Sequence, residues 1–190
     1  MQKTLLPVLS LLLLGALASA QIPSGNVFFG YSYYNTDLAP GNRVNTNGWE
    51  ASVEGKIIPL IGIVADFDSH YGSQLFPSGC AIAGQTDCAF SSGFVERNFL
   101  FGPRVSMSLG KIRPFAQVLI GAGHLSLNNG GPLSIGGSSD TSFATAVGGG
   151  LDYKLIPLLA WRFQGDYVTT RFFSNTQNNV RISTGLVLRF

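Results

Sequence analysis

No segment after the first twenty residues is apolar for long enough to cross a membrane as a helix, which takes about 20 residues; the later apolar runs are all short. Charge is scarce too. Asp, Glu, Lys and Arg make up 12% of the chain, against about 25% in typical soluble domains. Gly, the aromatics and Asn, Ser and Thr fill the gap. Neither sign dominates, with 12 Lys and Arg against 10 Asp and Glu, so nothing points to nucleic acid. The cysteines are two, Cys80 and Cys88, too few ligands for a metal by themselves. No phosphate loop, zinc signature or paired-Cys motif is present, and neither a cofactor nor a metal is expected.

What is present begins with a leader. Lys3 supplies a positive start, Leu5 to Leu14 is apolar apart from Pro7 and Ser10, and Ala18-Ser19-Ala20 has the small-x-small form of a cleavage site. Residues 1–20 read as a secretory signal peptide cut before Gln21. No Cys follows the apolar run, so a lipoprotein anchor is not expected. Residues 21–190 then form one domain by length. Without Lys3, 11 basic and 10 acidic side chains remain. An exported chain meets an oxidising compartment, so a disulfide between Cys80 and Cys88 is expected.

The other end alternates. Val180, Ile182, Thr184, Leu186, Leu188 and Phe190 fall on one face, and Arg181, Ser183, Gly185, Val187 and Arg189 on the other. A period of two is a strand. Three similar segments punctuate the chain: Lys56-Ile57-Ile58-Pro59, Lys111-Ile112-Arg113-Pro114 and Lys154-Leu155-Ile156-Pro157. Proline cannot donate to a ladder and favours turns or strand starts, so these read as three tight hairpin connections. Longer polar connections fall at roughly 35–47, 69–93, 128–141 and 172–179. Short and long alternate strictly. The fold class expected is therefore all-β, an eight-stranded antiparallel transmembrane β-barrel of up-and-down topology. Short turns and both termini lie at one rim and long loops at the other, the asymmetry of bacterial outer-membrane barrels. The strands drawn are 26–35, 47–56, 60–69, 94–108, 114–127, 142–153, 158–171 and 179–190. Gly102-Pro103 suggests a bulge or a non-pairing position in the fourth.

The faces differ in chemistry. One is apolar, with Tyr31, Tyr33, Trp49, Phe67, Tyr153, Trp161, Tyr167 and Phe190 recurring toward strand ends, as in the aromatic girdles of membrane barrels. By parity the other carries Glu50, Glu54, Asp66, Asp68, Glu96, Arg104, Arg162, Asp166, Arg181 and Arg189 inward. Isolated charges in so narrow a barrel are costly, so they are expected to pair into a polar plug.

Ser183-Thr184-Gly185-Leu186-Val187-Leu188-Arg189-Phe190 matches the terminal signal of outer-membrane proteins, carried here by Ser183, Gly185, Leu188 and Phe190. Three further segments resemble small outer-membrane β-barrel proteins of the OmpA-like or porin-like class, of acidobacterial type. They are Phe99-Leu100-Phe101-Gly102-Pro103-Arg104, Pro114-Phe115-Ala116 through Gly121-Ala122-Gly123-His124, and Gly148-Gly149-Gly150-Leu151-Asp152-Tyr153. The resemblance implies an outer-membrane location and handling by the barrel-assembly machinery. It further implies contact with outer-membrane lipid and lipopolysaccharide.

A structural, adhesion or surface-interaction role follows as the expectation, with a possible surface ligand met by the outer loops and no enzyme activity. A small porin-like channel is the alternative. A third reading is lipid A modification. Some eight-stranded outer-membrane barrels act on lipid A; one such family, the lipid A deacylases, uses a His-x-Ser pair with a Glu, and His124-Leu125-Ser126 has that spacing, with Asp140 as the candidate orienter. A His base beside a Ser nucleophile suits ester cleavage. The pair stands on the fifth strand rather than the seventh, and no Glu follows Glu96. Asp66-Phe67-Asp68 with His70 raises a metal site, against the reading that these acids pair with arginine.

Overall fold

The structure, a computed structural model, describes residues 24–39, 42–78, 88–128 and 138–190. The signal peptide expected at 1–20 lies outside the described residues. So does Cys80, and with it the expected disulfide.

The eight strands are β1 (Gly25–Ala39), β2 (Asn42–Ile58), β3 (Ile61–Ser78), β4 (Cys88–Ser106), β5 (Ile112–Asn128), β6 (Ser138–Ile156), β7 (Leu159–Thr170) and β8 (Gln177–Arg189). Each pairs antiparallel with its neighbours in chain order, and β8 pairs with β1 to close the barrel. At the seam Gly25 N donates to Phe190 O at 2.9 Å and Phe190 N donates to Gly25 O at 3.1 Å. Closure leaves no row of unpaired backbone groups, which lipid could not satisfy.

The alternation places side chains as expected. Phe29, Phe99, Phe163, Ile182 and Leu188 stand outside, Phe29 keeping 62% of its surface. Exposed apolar side chains run right around the barrel, far beyond the patches of a soluble monomer. Trp161 also faces out, and its indole N–H donates to Thr184 Oγ1 at 2.8 Å. Trp49 lies between Phe29 and Phe67, with ring centroids 6.0 and 5.3 Å away.

Every strand except β7 is longer than drawn, and the expected loops at 35–47 and 69–93 are largely ladder. Pairing continues to Ala39 with Asn42, Ser78 with Cys88, and Leu127 with Ser138. Above the membrane both faces of a hairpin meet water, so its residues need not alternate in polarity, and the signal used to draw strands vanishes. At about 3.3 Å per residue the 19 residues of β4 span roughly 60 Å. An apolar band about 25 Å tall crossed at about 45° needs only ~35 Å. The β3–β4 and β5–β6 hairpins therefore stand well above the membrane. β7 and β8, with 12 and 13 residues, do not, and the outer rim is lopsided.

The short turns differ in detail. Pro59-Leu60 and Pro157-Leu158 sit at their hairpin tips, where Ile58 pairs with Ile61 and Ile156 with Leu159. Pro114 is already inside β5, opposite Leu151. The reversal before it lies at Leu109 to Ile112 around Gly110, whose φ of 65° favours a residue without Cβ. At Gly102-Pro103 the β4–β5 ladder lapses between Phe101–Ile120 and Arg104–Gln117 without changing register. The proline lies opposite Ile63 of β3, occupies a non-pairing position only toward β5, and forms no bulge.

Candidate functional site

The interior is the candidate site because it holds every acid whose side chain is described except Asp140, together with the buried arginines. Starting at the short-turn mouth, Glu54 accepts from four donors. Lys56 Nζ and Arg113 Nη2 approach Oε1 at 3.2 and 3.1 Å, and Arg104 Nη1 and Asn26 Nδ2 approach Oε2 at 3.2 and 2.8 Å. Beside it, Arg162 holds Asp152 from Nε at 2.7 Å and Nη2 at 3.1 Å. The Phe115 ring lies between Arg104 and Arg162, with guanidinium carbons 4.4 and 4.7 Å from its centroid. This quadrupolar face eases the approach of two like charges.

Gln117 carries the network upward. Its Oε1 accepts from Arg104 Nε at 2.9 Å, and its Nε2 donates to Asp166 Oδ1 at 2.8 Å. Asp166 also accepts from Arg181 Nη2 at 2.8 Å. Arg181 is fully buried and reaches Asp66 at 2.7 Å, Asp68, and Glu50 at 3.5 Å as well. Four carboxylates from β2, β3 and β7 thus surround one guanidinium. Above them Asn98 Nδ2 donates to Asp68 at 2.9 Å, Tyr34 OH donates to Glu96 at 3.0 Å, and Asn179 donates to Tyr34 OH at 2.9 Å.

Apolar layers separate these polar groups, so the interior is not the wholly polar plug the parity suggested. Val64, Leu100, Leu119 and Val168 are completely buried inside, and Phe94, Leu125 and Phe172 pack across the outer end. Phe172 comes from the short turn between β7 and β8.

Glu50, Glu54, Asp66, Asp68, Glu96, Arg104, Arg162, Asp166 and Arg181 are all buried within the barrel, and Arg189 is partly buried at the mouth. Asp152 belongs to the same set and escaped the sequence reading. The glycines at 148–150 hide the alternation of β6, although counting by two from Ala144 and Ala146 reaches it. His70, named only for a metal site, was not counted with the interior set because it lies beyond the expected end of β3 at 69. The neutral members Asn26, Tyr34, Asn98, Gln117 and Gln164 share the inward parity but carry no charge to mark them.

His124, Ser126 and Asp140 do not form a triad. His124 and Ser126 point outward, and His124 Nδ1 lies 2.7 Å from Thr141 Oγ1. Asp140 pairs with inward-facing Leu125, on the opposite face of the sheet, and its carboxylate accepts from Phe173 N–H. A one-residue offset across a ladder sends side chains to opposite faces. A different trio does meet inside: Ser32 Oγ lies 2.9 Å from His70 Nε2, and His70 Nδ1 lies 3.1 Å from Asp68 Oδ1. All three are fully buried. Tyr34 stacks on the imidazole and Ser183 donates to Ser32. They act as links of the buried network. Among the described residues no group of three or more His, Cys, Asp or Glu is placed to hold a metal ion, so Asp66, Asp68 and His70 form no such site.

The outer surface shows the converse charge. Of the acids whose side chains are described, all lie in the interior except Asp140, which is half-buried. Arg43, Arg97 and Arg171 are exposed toward the long-hairpin end, and Arg97 pairs across β4–β5 with His124.

No protein-family model matches the chain, and no curated protein matches it in sequence. Solved structures do resemble it. Neisserial surface protein A is 14% identical, with a TM-score of 0.65 over 87% of this chain and 97% of that one. Ail, the attachment invasion locus protein of Yersinia pestis, solved with the heparin analogue sucrose octasulfate, is also 14% identical. Its TM-score is 0.58 over 88% of this chain and 98% of that one. At such identity the likeness is one of fold: the chain has the eight-stranded closed barrel of these small bacterial surface proteins.

Proposed function

We propose that this protein is an outer-membrane barrel without enzyme activity. It would work through its outer rim, presenting cationic hairpins to anionic surface glycan or lipopolysaccharide. The observation that carries this reading is the sorting of charge. The near-neutral balance of the whole chain hides it: among the acids whose side chains are described only half-buried Asp140 lies outside the interior, while Arg43, Arg97 and Arg171 are exposed. Phosphate and sulfate groups suit such arginines, which offer planar paired donors. Ail, of the same fold, was solved with a sulfated heparin analogue, which supports the ligand class. The terminal segment ending at Phe190 would be read by the barrel-assembly machinery. Against a small channel stand Phe94, Leu125 and Phe172 packed across one end and Arg181 held among four acids on the axis.

The test is binding of sucrose octasulfate to the refolded barrel in zwitterionic nanodiscs, with the triple variant Arg43→Gln, Arg97→Gln and Arg171→Gln alongside. Saturable binding that weakens at least ~10-fold in the variant is expected, since each lost charge-assisted hydrogen bond costs about 1.5–3 kcal/mol before neighbours compensate. Equal binding by both proteins would refute the proposed surface.

A further inference from the structure

Charge inside the barrel is divided along its axis, and the short-turn half holds a surplus of cations. Lys56, Arg104, Arg113, Arg162 and Arg189 share two carboxylates, Glu54 and Asp152. A terminal carboxylate at Phe190 still leaves two positive charges uncompensated. The other half has the opposite excess, with Glu50, Asp66, Asp68, Glu96 and Asp166 around Arg181 and His70.

The cationic half opens into a cavity of about 680 Å³ at the mouth. Lys56 from β2, Arg113 from β5 and Arg189 from β8 line it from three sides, together with Ser24, Ser108 and Phe190. These are not free surface cations: their side chains keep 9%, 11% and 19% of their exposure. Glu54 cannot serve them further, because each of its oxygens already accepts from two donors. Arg189 is the least satisfied. Its Nη2 stands 3.6 Å from Asp152, too far for a hydrogen bond, and both Nε and Nη2 are buried without a hydrogen-bond partner. Those two nitrogens are shielded as they stand, and an anion oxygen reaches them when the guanidinium, 19% exposed at the mouth, turns toward the cavity; their lack of a partner favours that turn.

We propose that this mouth is a binding site for a phosphoryl-bearing anion, with Arg189 as the principal donor and Lys56 and Arg113 flanking it. A tetrahedral oxyanion fits the fork of Arg189 and completes the local charge balance. A free phosphorylated solute and the phosphate of an inner-leaflet lipid present the same chemistry, and the rim can meet either. The site is at the opposite end from the glycan-binding surface proposed above and does not depend on it.

The barrel is refolded in zwitterionic nanodiscs and titrated with inorganic phosphate at low ionic strength. The arginine Nε–H resonances are followed by NMR. In a parallel arm, phosphatidylglycerol replaces part of the zwitterionic lipid. Saturable perturbation of Arg189 in the first arm identifies a solute site, and perturbation only in the second identifies a lipid headgroup site. Lys56→Gln, read at Arg189, and Arg189→Gln, read at Arg113, are each expected to weaken the response at least ~10-fold. Lys154→Gln removes the same charge from the same rim outside the cavity and is expected to leave it unchanged. Both arms silent in a barrel that shows heat-modifiable folding would overturn the proposal. Equal loss in Lys154→Gln would also overturn it, by reducing the effect to general surface charge.

Discussion

At the residue scale the decisive side chain is Arg181. Its guanidinium is the one cation among four buried carboxylates contributed by three other strands. A buried ion cluster adds little net stability over an apolar core, because desolvation offsets the attraction. Removing one partner is different, since the remaining charges stay buried and unpaired. Arg181→Met should therefore lower stability by about 3–5 kcal/mol. Tryptophan fluorescence during urea unfolding in vesicles reads this as an earlier midpoint; an unshifted midpoint would mean that the acids are not held by Arg181. Inward parity was legible in the residues themselves: Glu50, Asp66, Asp68 and Asp166 were all assigned to the interior. Their convergence on one guanidinium was not, because it depends on distances across the barrel between positions as far apart as 66 and 181.

At the scale of elements the closing pair β8–β1 matters most. Gly185 lies opposite Gly30 in this ladder. A Cβ built at Gly185 would run into Phe29 O and Gly30 Cα, and one at Gly30 would meet Thr184 O and the Phe28 ring. The glycine of the terminal signal thus has a steric reason of its own, whatever else reads it. Phe190 stands outward with 54% of its surface free for lipid and fixes the seam through Gly25. Gly185→Val and deletion of Phe190 should each reduce the heat-modifiable, folded fraction several-fold on refolding into vesicles. Normal electrophoretic mobility shifts in both variants would remove the seam from its place in assembly. Strand number and the turns at Pro59 and Pro157 were readable here because proline and alternation are local signals, whereas the remaining reversal lies at Leu109 to Ile112, ahead of Pro114. The outer extent of β3 and β4 was not, since a ladder in water has no polarity pattern to betray it.

For the molecule as a whole, two apolar environments divide the side chains: lipid outside and packed layers between polar networks inside. Trp49 and Trp161 belong to the outer set, and brominated lipids should quench both strongly; quenching by aqueous acrylamide instead would invert the barrel. The network from Glu54 to Asp68 pairs its buried ions, Glu96 accepts from Tyr34, and Phe172 packs across the outer end. Planar bilayers should accordingly show no steady single-channel conductance, and large stable currents would restore the channel reading.

The amino-acid sequence by itself determined the strand count, two of the three short turns and the inward or outward parity of the strand side chains. Each of these follows from a period of two and from residues that cannot continue a ladder. Only the tertiary structure decided which charges meet. Closing the sheet sets the barrel radius and the stagger between strands, and those two quantities bring Arg181 to its four acids while leaving Arg189 short of one. They also send His124 and Asp140 to opposite sides of the wall, a separation no local spacing reveals.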